Sequence, residues 1–279
     1  MKIFNTKSEV KQYLRQLKAT GKTIGFVPTM GALHNGHLSL LRQAQQQTDV
    51  VVCSIFVNPT QFNDPKDLEK YPRPIEADVE KLETAGCDVL FNPPVNEMYA
   101  DNENWHLDIG RLEHLLEGRF RPGHYQGVTQ VVSKLFNIVE PHKAFFGQKD
   151  YQQVMVISRM VELLAMPVEI VMCPIEREPD GLAMSSRNIH LTADDRQHAL
   201  VLSRALNEAK ASFDTGISLT EIQAQASGII NHELGTQLEY FELANGQTLE
   251  SAKPDSQTIV ALVAARVGNT RLIDNVIIR

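Results

Sequence analysis

Apolar positions along this chain follow two rhythms, and over roughly the first 175 residues the two alternate. Short apolar, β-branched runs at 23–29 (TIGFVPT), 49–58 (DVVVCSIFVN), 88–93 (DVLFNP), 143–148 (KAFFGQ) and 168–175 (VEIVMCPI) predict strands. Between them, apolar residues at helical spacing predict helices from about Lys7 to Ala19, from the end of PTMGALHNGH to about Gln47, over 77–86, over 127–140 with Pro141 as the stop, and over 151–165. Thr6, with Glu9 three residues on, reads as a capping box. Gly86 reads as a helix stop. The run at 49–58 is apolar almost throughout, as in a strand buried on both faces. Strands alternating with helices predict a parallel α/β sheet covered by helices.

After about residue 176 the pattern changes. The loop EREPDGLAMSSRN leads to a long helix at roughly 193–213 with Thr192 as its cap. A second helix starts at about Leu219, where Ser218 and Glu221 form a capping box. The apolar runs LEYFELAN, TIVALVAARVG and TRLIDNVII then predict hairpin-like strands. The expected organisation is therefore an α/β domain over 1–176 and a smaller C-terminal α+β domain over 177–279.

Composition narrows the function classes. The chain has 279 residues, 43% hydrophobic and 22% charged, as in a globular protein. No apolar run approaches the roughly 18 residues of a membrane span, and the N-terminal segment lacks the apolar core of a signal peptide. A net charge of −7 opposes general binding to nucleic acid. Cys53, Cys87 and Cys173 lie far apart in apolar segments, which suits buried thiols in a reducing cytoplasm.

Candidate chemistry collects where predicted strands end. His34 and His37 sit three apart at a strand-to-helix junction, after Gly31 and on either side of the Asn35–Gly36 pair. Their spacing fits packed helix-start histidines, a zinc pair without a neighbouring carboxylate, or a phosphate site built on a helix N-terminus. Asn58 and Gln61 follow the second strand; they are amides suited either to turn chemistry or to polar groups of a small substrate. Arg119, Arg121 and His124 form a local basic patch in a Pro- and Gly-bearing loop, either solvated or an anion clamp. Lys149 and Asp150 open a helix, with Gln153 a turn further on roughly the same face; Lys149 suits phosphate and Asp150 a ribose hydroxyl or a metal-bound water, and a surface helix start capped by the Asp is the alternative. The loop 177–188 carries two serines and Arg187, donors that suit phosphate; a flexible linker is the alternative. Neither a P-loop nor a dinucleotide-binding glycine motif is present.

Five blocks, PTMGALHNGHLSL, SIFVNPTQF, RPGHYQGV, FFGQKDYQQ and DGLAMSSRN, closely resemble the pantothenate synthetase (pantoate–β-alanine ligase) family of the nucleotidylyltransferase superfamily, in order and spacing and over essentially the whole chain. The resemblance implies a Rossmann-like first domain, a C-terminal lid and an ATP-dependent condensation of (R)-pantoate with β-alanine through pantoyl adenylate. It implies ATP contacts from Met30, Gly31, Ala32, Leu33, His34, Asn35, Gly36, His37, Gly147, Gln148, Lys149, Asp150, Glu176 (through its backbone), Met184, Ser185, Ser186 and Arg187. Of these, His34, His37, Lys149 and Arg187 carry catalysis. Gln61 and Gln153 hold pantoate, with Asn58, Tyr71 and Arg121 as secondary contacts. No protein-bound metal is expected; Mg2+ rides on the ATP phosphates. The family also implies a cytoplasmic homodimer joined through the N-terminal domain. His190 stands where many members have tyrosine.

Overall fold

The computed structural model describes residues 1–100 and 103–279. In chain order the elements are β1 (Lys2–Phe4), α1 (Lys7–Ala19), β2 (Ile24–Thr29), α2 (Asn35–Gln47), β3 (Val50–Ile55), α3 (Pro65–Lys70), α4 (Ile75–Thr84), β4 (Val89–Phe91), α5 (Val95–Met98), α6 (Leu116–Phe120), α7 (His124–Val139), β5 (Lys143–Gly147), α8 (Tyr151–Leu163), β6 (Glu169–Cys173), α9 (Ala193–Asp214), α10 (Leu219–Asn231), β7 (Thr236–Asn245), β8 (Ile259–Val267) and β9 (Thr270–Ile277). They gather into two compact units. One holds residues 1–147 and 152–174; the other holds 148–151 and 175–279.

The first unit is built on a six-stranded sheet of order β1-β4-β3-β2-β5-β6, parallel throughout. The strand order reverses between β2 and β5: from β2 the chain moves to β3 and β4 on one side and returns to β5 on the other. Such a switch point leaves a crevice outside the carboxyl ends of the two strands, where open parallel sheets bind ligands. Strand β3 is buried along its whole length because both faces are covered. Val50 and Val52 join the core formed with α1, α7 and α8, while Val51, Cys53 and Ile55 join the core formed with α2 and α4. Gly25 in β2 is required sterically, since a Cβ there would lie 2.4 Å from Thr48 Oγ1.

The second unit carries an antiparallel sheet of order β7-β8-β9, packed on α9 and α10 around a core that includes Leu202, Leu206, Ile222, Phe241 and Val263. Ser218 and Glu221 form the expected capping box of α10, and Thr192 caps α9 through Asp195 N. At α1 the expected box is only half made. Thr6 accepts from Glu9 N, but the Glu9 carboxylate takes the Thr6 hydroxyl rather than a backbone N–H.

Two local expectations change. The segment read as a loop at 117–127 is helix α6, a short turn and the start of α7, in which His124 is buried, so the basic patch is not one exposed cluster. Residues Gln148–Asp150 form a 3-10 turn rather than the opening of a regular helix. That turn groups with the second unit, whereas Gln153 lies on α8 in the first.

Candidate active site

The histidine motif occupies the switch-point crevice, immediately after β2. The chain leaves the strand through Gly31 at φ +85° and Ala32 at φ +50°. Ala32 is an L-residue in the left-handed region, at a cost of about 1–2 kcal/mol. Helix α4 offsets it. The buried Asp78 carboxylate accepts from Ala32 N at 2.7 Å and from Leu33 N at 2.8 Å, and Lys81 Nζ, one turn further, donates to Leu33 O at 2.7 Å. The turn is thus gripped by both its N–H groups and a carbonyl.

His34 is the N-cap of α2 and His37 its third residue. Their rings close a capping box: His34 Nδ1 accepts from Gly36 N at 3.2 Å, and His37 Nδ1 accepts from His34 N at 3.3 Å. A backbone N–H can only donate, so each Nδ1 presents a lone pair. The neutral imidazoles therefore carry their protons on Nε2. The rings lie 4.1 Å apart between centroids. Two N–H donors at the positive end of a helix macrodipole are suited to an anion.

Beside them, Asn58 and Gln61 are buried, 1% and 9% exposed, so Gln61 is not merely an exposed turn residue. Asn58 Nδ2 donates to Gln61 Oε1 at 3.2 Å and to Gly127 O at 3.1 Å. Its Oδ1 accepts from Tyr99 Oη at 2.7 Å and from Thr60 Oγ1 at 3.1 Å. Burial pushes the Tyr99 hydroxyl up to about 12, so it remains a donor at neutral pH. Gln61 Nε2 reaches Met30 Sδ at 2.9 Å, and its carbonyl is met by His124 Nδ1 at 2.9 Å, with the ring as donor. Helix α7 approaches this turn closely because residue 127 is glycine; a Cβ there would lie 2.4 Å from Thr60 O. A cavity of about 390 Å³ opens next to Met30, Gly31, Phe56, Pro59 and Asp78, a volume that suits a small molecule. Tyr71 packs edge-on against Phe62. Arg121, at the C-terminus of α6, and Gln153 are partly buried.

Gly147 ends β5 in the first unit; the second unit gathers the remaining candidates. Lys149 lies 3.9 Å from Asp150 in the 3-10 turn. Glu176 O accepts from Met184 N at 3.0 Å, and the Ser185 hydroxyl accepts from Arg187 N at 3.2 Å. Ser186 and Arg187 follow in a short 3-10 helix, with Arg187 exposed. Among the described residues no three His, Cys, Asp or Glu side chains converge to hold a metal ion. Asp78, Tyr99, Gly127 and the strand residues Asp274 and Asn275 carry no signal of a site in the sequence. Asp78 and Gly127 belong to helical patterns whose buried face carries no signal of a distant partner.

Residues 2–277 match the Pantoate-beta-alanine ligase family. The chain belongs to that family. The ligase family's members include the pantothenate synthetase of Acetivibrio thermocellus, 47% identical over all of this chain and 99% of its relative, and that of Thermotoga petrophila, 48% identical over the whole of both. The crystal structure of pantothenate synthetase from Thermus thermophilus superposes with a TM-score of 0.94 at 40% identity, covering 100% and 99% of the two chains. The Francisella tularensis pantoate-beta-alanine ligase, solved in complex with beta-gamma ATP and beta-alanine, gives 0.83 at 36% identity, covering 100% and 98%.

Proposed function

We propose that this protein condenses (R)-pantoate with β-alanine in two steps driven by ATP. A pantoate carboxylate oxygen attacks the α-phosphorus of ATP; the bond to the β-phosphate bridging oxygen breaks, and pyrophosphate leaves. The β-alanine amine then attacks the acyl carbon of pantoyl adenylate, giving pantothenate, AMP and a proton. The observation that carries this reading is the pair of imidazoles fixed through Nδ1 at the N-terminus of α2, in the crevice where the sheet reverses.

The residues divide by chemistry. His34 and His37, with the backbone from Met30 to Gly36, neutralise phosphate charge that grows in the transition state. Gln61 and Gln153 orient pantoate, and Asn58 acts through Gln61, since its own amide is spent on protein partners. Tyr71 and Arg121 are secondary contacts. Lys149, Ser186 and Arg187 supply charge and hydroxyl donors to the nucleotide phosphates; Gly147, Gln148 and Asp150 meet the nucleoside, and Glu176 meets adenine through its backbone. Mg2+ arrives on the ATP oxygens, consistent with a donor set of N–H and O–H groups rather than a carboxylate cage. The proposal extends to a homodimer joined through the first unit and to a cytoplasmic setting; light scattering on purified protein tests the dimer. Activity is tested by following AMP and pyrophosphate while omitting one substrate at a time. Pyrophosphate should require pantoate but not β-alanine, and AMP release should require both. AMP formation independent of pantoate would overturn the reading.

A further inference from the structure

Two adjacent residues near the C-terminal end of β9 reach in different directions to two segments that carry nucleotide-site candidates. Asn275 is 1% exposed. Its Nδ2 donates to Gln148 O and to Lys149 O, both at 2.9 Å, and its Oδ1 accepts from Gln148 Nε2 at 3.1 Å. The whole amide is spent on the turn that bears Lys149. Asp274 is 4% exposed and takes the Arg177 guanidinium as a fork, Nη1 to Oδ2 at 2.7 Å and Nη2 to Oδ1 at 3.0 Å. Asn275 N also donates to Asp274 Oδ1, at 2.8 Å. Arg177 in turn donates to Gly181 O at 3.0 Å and bridges in antiparallel fashion to Ala183, which closes the small hairpin leading directly into Met184–Arg187.

We propose that Asp274 and Asn275 are positioning residues for ATP, holding the Lys149 turn and the Met184–Arg187 loop to one rigid strand. The inference rests on the ligase reading above. Lysine is a point charge on a flexible stem, so its placement against a phosphate depends on where its backbone is fixed. A loop bearing serines and an arginine has the same need, because misplacement of about 1 Å can cost around a hundredfold in rate. Antiparallel pairing of β9 with β8 continues through both residues, Asp274 opposite Val263 and Asn275 opposite Leu262, so both sit within the sheet's backbone ladder. Burial raises the Asp274 carboxyl while Arg177 and Lys149 act in the opposite direction, as expected where two cations converge on one buried acid.

The test uses the full-length protein and two variants, Asn275→Ser and Arg177→Lys. Serine removes the double amide donor at small change in volume. Lysine keeps the charge of a side chain that is 30% exposed but loses the fork. Each variant is checked for folding by circular dichroism, and kinetic constants are taken per folded molecule. The expected result is a tenfold or larger fall in the rate of pyrophosphate release and a similar loss of affinity for a non-hydrolysable ATP analogue, with the pantoate KM unchanged within twofold. A merely structural role would lower the melting temperature and leave these constants alone, and that outcome overturns the inference. So does an equal weakening of ATP and pantoate. If Asn275→Ser does not fold, the same criteria apply to Arg177→Lys. Wild-type protein assayed alongside separates the failures. An inactive wild type would reject the ligase reading itself, whereas an active wild type with unaltered variants would reject only the positioning role.

Discussion

Asn58 fixes Gln61 from inside the protein: its amide nitrogen donates to Gln61 Oε1 at 3.2 Å while its oxygen accepts from Tyr99 Oη at 2.7 Å. The acceptor of Gln61 is thereby occupied and its NH2 directed to Met30 Sδ. Asn58→Ala leaves Gly127 O and the Tyr99 hydroxyl without this partner, at about 1–3 kcal/mol for each buried group left unsatisfied. It also frees the Gln61 side chain to rotate. The expected outcome is a lower melting temperature together with a pantoate KM raised roughly tenfold, which corresponds to about 1.4 kcal/mol of lost binding. Gln61→Ala should reproduce the KM effect with a smaller stability loss. An unchanged pantoate KM in both variants would remove Gln61 from the pantoate site.

The grip of α4 on the histidine turn gives a second test. Asp78 accepts from Ala32 N and Leu33 N with both carboxylate oxygens. In Asp78→Asn one of those oxygens becomes an NH2 group facing a donor, so one backbone N–H is orphaned in a buried site at a cost of about 1–3 kcal/mol. Ala32 then loses part of what holds it at φ +50°, and the start of α2 moves with it. The fall in kcat for pyrophosphate release is expected to be about tenfold or more, since the imidazoles must be correctly placed when phosphate charge develops. Stopped-flow measurement of the adenylation step reads this directly. A folded variant with normal adenylation would show that the turn holds its shape without the carboxylate.

Much of this fold was legible in the sequence, for reasons the two sheets make plain. Strands such as β3, covered on both faces, read as unbroken apolar runs, and helices such as α9 and α10 announce themselves through Thr192 and the Ser218–Glu221 box. These signals are local. The positions of His34, Asn58 and Lys149 beyond the ends of β2, β3 and β5 were legible too, because each lies within five residues of a strand's last residue. What the sequence hid was reach. Asp78 lies 46 residues from Ala32, and Asn275 lies 126 from Lys149. No periodicity encodes a hydrogen bond over such a distance. Glycine 127 is similar: inside a helical pattern it looks like a weak point, and only the packed Thr60 carbonyl explains it. His124 misled in the opposite sense, since an RPGH sequence reads as loop until the ring is found buried against Gln61 O.

The shared tautomer makes the two histidines separable by substitution. Each ring uses Nδ1 as an acceptor for a backbone N–H, which leaves the proton of the neutral ring on Nε2. Asparagine can imitate the Nδ1 side of histidine because its short side chain caps helices well, but it cannot place a donor where Nε2 lies. His34→Asn should therefore keep the melting temperature nearly unchanged and still lower kcat by about a hundredfold, the usual scale for one lost donor to a developing anion. His37→Ala loses the reciprocal cap as well and should combine a similar kcat loss with a modest drop in stability of about 1 kcal/mol. Near-normal adenylate formation by folded His37→Ala would refute the assignment.

The three thiols carry a pH prediction with a definite sign. Cys53, Cys87 and Cys173 are free and only 1%, 4% and 2% exposed. Burial pushes Cys53 upward and lifts Cys87 and Cys173 to about 11. A thiol whose pKa is raised by folding ionises first in the unfolded chain. The stability linked to it is complete below the ordinary thiol range and is lost as pH climbs from about 9 towards about 11. Denaturant midpoints should therefore hold steady from pH 7 to 8.5 and then fall, and Cys87→Ala should flatten that fall. Thiolate is the reactive form, so at pH 8 Ellman's reagent should titrate almost no thiol in the native protein and all three in denaturant. Rapid native-state labelling of Cys87 would show that its environment is wetter than its packing against β3 and β4 implies.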